Sequence, residues 1–89
     1  MRLRSLQLTF VEGHPVGAYL YLAAGERVPV ARTEERSHGL IVDFAEDGAP
    51  LGVEIISFGG DIPDRLNGLL HDLGIPPLSS EELRPLRVA

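Results

Sequence analysis

The chain has no cysteine. That excludes a disulfide, a thiolate nucleophile, an iron–sulfur cluster and any cysteine-based zinc site. Lysine is missing as well, so the 8 basic residues are all arginines: Arg2, Arg4, Arg27, Arg32, Arg36, Arg65, Arg84 and Arg87. They interleave with 13 acids, leave a net charge of −5 and form no basic stripe. Nucleic-acid binding needs local positive charge to displace counterions from phosphates, so autonomous binding to DNA or RNA is not expected. All-arginine usage beside abundant Leu, Gly, Pro and Ala points to a GC-rich genome. Long apolar runs are also lacking. The first ten residues, MRLRSLQLTF, hold no apolar run of signal-peptide length, and no stretch approaches the ~20 apolar residues of a membrane span. The cytosol is the expected compartment, without membrane attachment.

What is present is ordinary globular composition: 89 residues, 44 % hydrophobic and 24 % charged, enough for one domain spanning the chain. A compact chain of this length has a radius of gyration of roughly 12 Å, which leaves little volume for a deep, closed substrate pocket.

Residues 3–58 read as strands. In LRSLQLTF, Leu6, Leu8 and Phe10 alternate with Gln7 and Thr9, the period of a half-buried strand. EGHP, residues 12–15, is a turn. In GAYLYLAAGERVPVART, Ala18, Leu20 and Leu22 share one face and Tyr19 and Tyr21 the other. A bulged hairpin loop at Ala23–Ala24–Gly25 would place Leu22 opposite Glu26, Leu20 opposite Val28 and Ala18 opposite Val30. Pro29, lacking an amide proton, would put that second strand at an edge. TEERSHG, residues 33–39, reads as a polar crossing to the next hairpin. There Asp47–Gly48 suits a type I′ turn, which sets Glu46 opposite Ala49, Phe44 opposite Leu51, Val42 opposite Val53 and Leu40 opposite Ile55. Asp43 then faces Gly52, Ile41 faces Glu54, and the two acids are diagonal neighbours with backbones roughly 7–8 Å apart.

After SFGG the period changes. Ile62, Leu66, Leu69, Leu70 and Leu73 mark one face of an amphipathic helix, with Asp61 as N-cap, Pro63 and Asp64 in the first turn, and Gly74 as the left-handed stop before Pro76 and Pro77. Ser79-x-x-Glu82 is a capping-box pattern opening a short second helix, which Pro85 limits to one or two turns. The helical part thus covers 61–84, and the tail 85–89 is expected to be loose. The predicted fold is α+β: an antiparallel β-meander of about five strands, one main helix packed on it and a short C-terminal helix.

GAYLYL followed by GLIVDFAEDGAPLGVEIISF resembles the YuzE-like small bacterial proteins, a domain of unknown function. The matching residues are Ala18, Leu20, Tyr21, Leu22, Val42, Asp43, Asp47, Gly48, Gly52, Val53, Glu54 and Ile55, within residues 17–58. Gly17 stands where that pattern has an aspartate, and Phe44–Ala45 replaces a more polar pair. The resemblance implies a small β-rich fold in bacterial cytoplasm with no established activity, and an antitoxin-type role beside a small basic toxin. It says nothing of the helices from Asp61 onward.

Asp43 and Glu54 are the candidates for chemistry, either as a general acid/base pair or as part of a hard-cation site. Catalytic carboxylates need a cleft and unequal environments, so the pair reads more simply as the trim of a hairpin, with Glu54 meeting Arg27 or Arg36. His14, His38 and His71 lack metal-ligand spacing, and neither a metal nor a cofactor is expected. Ser57 in IISFGGD lacks the G-x-S-x-G pattern. Gly59–Gly60 precedes a helix start whose Asp61 and Asp64 would repel phosphate. Tyr19 and Tyr21 are candidate binding residues, or core residues beneath the helix, Tyr21 especially. The leading expectation is a non-enzymatic protein-interaction module. It would engage a partner through residues 78–89 or an exposed sheet edge, with a homodimer covering one edge. The alternatives are an antitoxin-like regulatory partner of a small basic toxin, or a small acid-pair or metal-dependent hydrolase using Asp43 and Glu54.

Overall fold

A computed structural model of the chain describes residues 4–22 and 28–87. It contains β1 (Ser5–Val11), β2 (His14–Tyr21), β3 (Arg32–Ser37), β4 (Leu40–Phe44), β5 (Pro50–Ile55), α1 (Ile62–Asp72) and α2 (Ser80–Arg87). The α+β class, the five antiparallel strands and the helical second part are as expected, and the radius of gyration is 12.6 Å.

The strand order is β1-β2-β5-β4-β3, which is not a meander. β3, β4 and β5 follow one another by hairpins, and β2 lies beside β5, a Greek-key arrangement. The expected hairpin after β2 does not form. Leu20 is opposite Leu6 and Val53, and Ala18 opposite Leu8 and Ile55, so both edges of β2 are taken. Val28 and Val30 are exposed and Pro29 lies in no strand; the proposed loop, residues 23–27, is outside the described residues. On either side of it, the Leu22 N–H bonds the Leu51 carbonyl (3.0 Å) and the Ala31 N–H bonds the Phe44 carbonyl (2.7 Å). The far edge strand is RTEERS, which but for Arg32 falls in the stretch expected to be a polar crossing. Charge is what an edge strand carries to resist further pairing, so polarity here marks an edge rather than a loop.

The type I′ turn falls at Glu12–Gly13 rather than at Asp47–Gly48. Glu12 and Gly13 both have positive φ (51° and 82°), so the type I′ hairpin joins β1 to β2. At Asp47–Gly48 only Gly48 has positive φ. The Gly48 N–H bonds the Ala45 carbonyl (3.0 Å) and the Ala45 N–H bonds the Ala49 carbonyl (2.9 Å), a type I turn closed by a glycine bulge. The loop is one residue longer than expected, and Phe44 therefore pairs with Pro50 rather than Leu51. Leu51 then bulges, the two offsets cancel, and Asp43↔Gly52, Val42↔Val53, Ile41↔Glu54 and Leu40↔Ile55 stand as predicted.

One face of the sheet is covered. Ala18, Leu20, Leu40, Val42, Phe44, Val53 and Ile55 pack with Ile62, Leu66, Leu69 and Leu70 of α1 and Leu78, Leu83 and Leu86. Asp61 takes the N-cap position, but its side chain makes no capping bond and lies 3.9 Å from Arg65 instead. The C-terminus of α1 is a Schellman motif: Gly74 at φ 76°, its N–H on the His71 carbonyl and the Ile75 N–H on the Leu70 carbonyl. Asn67 holds the chain that follows, accepting from the Leu78 N–H (2.8 Å) and donating to the Leu78 carbonyl (3.1 Å). The Ser79–Glu82 capping box is present in both directions (2.8 and 3.1 Å). α2 continues through Pro85 to Arg87 with Leu86 buried, so the chain is tied down beyond the point where it was expected to loosen. Buried Leu78, Leu83 and Leu86 also make this segment part of the core, not a free arm for a partner.

Candidate functional site on the uncovered sheet face

Side chains alternate along a strand, so the residues between the core positions form a second face, which neither α1 nor α2 covers. Strand register orders them in two rows. One runs Gln7, Tyr19, Glu54, Ile41, Glu35, and the other Ser5, Tyr21, Gly52, Asp43, Thr33.

The centre of this face is organised by Tyr19. Its hydroxyl donates to the Asp43 carboxylate at 2.7 Å, and the Thr33 hydroxyl donates to the other carboxylate oxygen at 2.9 Å. Gly52 lies between Tyr21 and Asp43 in the register, diagonal to Tyr19, and a Cβ there would run into the Tyr19 ring and hydroxyl. Tyr19 can therefore cross β5 only because residue 52 has no side chain. Burial, then the hydrogen bond to Asp43 and the negative charge of that carboxylate, push the Tyr19 phenol well above its ordinary value of 10.0. Tyr21 packs on Tyr19 in an edge-on arrangement, centroids 4.7 Å apart and planes at 61°. Tyr21 is 44 % exposed, which overturns its expected place in the core; the helices cover Leu20's face instead.

Asp43 and Glu54 are diagonal neighbours, as the register required. Asp43 is committed to Tyr19 and Thr33, and Glu54 is exposed opposite Tyr19 on β2. Glu54 does not meet Arg36. Arg36 and Arg32 both bond Glu34 (2.8 and 2.7 Å), with their guanidinium groups 5.2 and 4.3 Å from the ring centroid of Phe44, a core residue of the other face. Arg32 first, then Arg36, hold the Glu34 carboxyl below its ordinary range. Arg27 lies outside the described residues.

The remaining candidates stay apart. His14, His38 and His71 are exposed at the start of β2, in the β3–β4 turn and in α1. Ser57 packs against Gly39, where a Cβ would strike it. The Gly59 carbonyl accepts the Ile62 N–H at 3.1 Å and turns the chain into α1. Among the described residues no three His, Asp or Glu side chains gather to hold a metal ion, and no described helix is long and apolar enough to cross a membrane. The clefts lie on the helix side. One of about 220 Å³ is lined by Leu6, Leu20, Leu78 and Pro85, and a broad groove of about 440 Å³ lies beside Arg65 and Leu69.

Thr33, Glu35 and Gly52 belong to this face without having been singled out in the sequence. For Gly52 a signal existed, since the expected register already set it opposite Asp43. For Thr33 and Glu35 there was none once their segment was read as a crossing. Comparison with protein-family models, with curated proteins and with solved structures finds no match to this chain.

Proposed function

We propose that this chain is a non-enzymatic protein-interaction module, and that the uncovered sheet face around Tyr19 and Tyr21 receives a segment of another protein bearing basic side chains. The observation that carries this reading is the exposed Tyr21 ring, packed on Tyr19 on a face that neither α1 nor α2 covers. Tyrosine suits such a surface because it offers a large rigid area and a polar tip.

Charge selects the occupant. The face carries Glu35, Asp43 and Glu54. The described arginines lie elsewhere: Arg4 bonds Pro76 and Glu82, Arg32 and Arg36 sit over Phe44, and Arg65, Arg84 and Arg87 belong to the helices. A cation over an exposed tyrosine contributes about 0.5–1 kcal/mol, and neighbouring carboxylates add to it. A nucleic acid, an anionic lipid surface or the same face of a second copy would instead meet like charge.

The hydrolase reading has less support. Asp43 and Glu54 lie on an open face, whereas acid/base chemistry needs a site that excludes water and separates the two carboxyl environments. The cytoplasmic setting expected above goes with the interaction reading.

An aromatic photo-crosslinking residue at position 21 tests the proposal in native lysate. It should capture one protein, and the adduct should fall when Glu35 and Glu54 are both changed to Gln. The same residue at position 84 on α2 should capture none. Equal capture at 21 and 84, or capture indifferent to the Glu→Gln changes, would remove this face from the reading.

A further inference from the structure

The sheet has two edges, and they are built differently. β3 is charged, with Glu34 bonded to both Arg32 and Arg36, and its pairing is interrupted at Arg36. Those are the devices that stop a strand from recruiting another. β1, SLQLTFV, has none of them: its seven residues carry no charge and no proline. The one irregularity of the β1–β2 pair, between Thr9 and Phe10, places the extra residue, Val16, on β2 and leaves β1 continuous. Phe10 and Val11 at its end are 53 % and 54 % exposed.

We propose that β1 is a homodimer edge, pairing antiparallel with β1 of a second copy about a two-fold axis at Leu8. This register pairs all seven residues. Leu8 meets Leu8, Leu6 meets Phe10, Gln7 meets Thr9 and Ser5 meets Val11 of the other copy. Leu6, Leu8 and Phe10 then fall together on the helix side, and Ser5, Gln7, Thr9 and Val11 on the uncovered face. An isologous contact of this kind satisfies the free backbone groups of both strands at once and closes at two chains.

A second feature fits the same register. Leu6 forms one wall of the cleft of about 220 Å³ between β1 and α2, whose floor and walls include Leu20, Leu78 and Pro85 and whose lining also carries Arg4, Glu81 and Glu82. Phe10 shares the side of β1 that Leu6 occupies, by strand alternation. Setting Phe10 of the second copy opposite Leu6 brings its ring to the mouth of that cleft. Two such insertions, related by the axis, would bury the two most exposed aromatic side chains of the pair. The contact uses a strand edge, not the tyrosine face, and it stands or falls separately from the function proposed above.

Sedimentation velocity across micromolar to millimolar concentrations tests it, with circular dichroism as the control for folding. The wild-type chain should show a monomer–dimer equilibrium. Phe10→Ala, at an exposed position, should weaken dimerisation at least about tenfold while leaving the fold intact. The double variant Gln7→Lys/Thr9→Lys sets lysine against lysine across the axis and should be monomeric. Gln7→Lys/Thr9→Glu sets lysine against glutamate and should dimerise again. A wild-type chain that stays monomeric at millimolar concentration overturns the proposal, as does a dimer unaffected by Phe10→Ala and by the two lysines. Failure of the Lys/Glu variant to dimerise where the Lys/Lys variant is monomeric overturns the register, and with it the cleft contact.

Discussion

Tyr19 reaches Asp43 by lying across Gly52, and the hydroxyl-to-carboxylate distance is 2.7 Å. Three strands are joined by this relationship: β2 supplies the ring, β5 the gap and β4 the acceptor. A glycine in the interior of a strand ordinarily weakens it, so Gly52 is explained by what passes over it.

Gly52→Ala should therefore displace the Tyr19 ring and break its bond to Asp43. The expected loss is roughly 1–3 kcal/mol, read from urea denaturation. In a Tyr19→Ala background the three nearest obstacles are gone, and the same substitution should cost clearly less. The difference between the two backgrounds is the coupling energy of the pair. Equal costs in both would mean that Gly52 is required for some other reason.

The raised Tyr19 proton affinity has a pH signature. The native state holds the phenolic proton more tightly than the unfolded chain, whose value is 10.0. The associated stabilisation is complete below about pH 10 and is lost as pH rises from there through the folded-state value. Stability should fall in this alkaline range, and Tyr19→Phe should flatten that part of the decline. In a Tyr21→Phe background, the phenolate absorbance of Tyr19 should rise only above the ordinary tyrosine range. A Tyr19→Phe profile identical to wild type above pH 10 would contradict the assignment.

Much of this face was legible because alternation in LIVDF and PLGVEI leaves only one apolar register. Even a loop misjudged by one residue was corrected by the Leu51 bulge, since the alternative would have exposed Val42 and Val53. The strand order was not legible. It depends on β2 choosing β5 over the adjacent segment, and VPV looked apolar enough to pair while RTEERS looked too polar for a strand. Tertiary competition for the edge of β2 decided that, and no local pattern records it. The helices were easier to read, because their stop and start signals, Gly74 and Ser79-x-x-Glu82, act within a few residues. Only the core alternative for Tyr21 failed; it was open because that strand alternates apolar residues on both faces, leaving the side of the helix undecided.

The two turns give a paired prediction. Glu12 is the one described non-glycine residue with positive φ, at 51°, and an L side chain there is strained by about 1 kcal/mol. Glu12→Asn should raise stability by some tenths of a kcal/mol to about 1, since asparagine tolerates this conformation and suits a type I′ turn. Gly48→Ala should lower it by about 1 kcal/mol or more, although a Cβ there would touch nothing, because Gly48 sits at φ 91°. Thermal melting of the two variants checks both signs. A destabilising Glu12→Asn would show that the Glu12 side chain compensates its backbone strain.

The C-terminal segment gives the sharpest contrast between a tail and a core. Leu78, Leu83 and Leu86 are 5 %, 3 % and 6 % exposed, and removing a buried leucine side chain costs about 2–5 kcal/mol. Three such losses are comparable with the whole stability of a small domain, on the order of 5–15 kcal/mol. A chain ending at Pro77 should therefore lose its cooperative unfolding transition, seen by circular dichroism and by collapse of amide chemical-shift dispersion. Asn67→Ala tests the same attachment more gently. It leaves both polar groups of the Leu78 backbone without their partner and should cost about 1–3 kcal/mol without abolishing the fold. A truncated chain that still melts cooperatively would mean that the sheet and α1 form a sufficient core alone. Residues 78–89 would then be available to a partner after all.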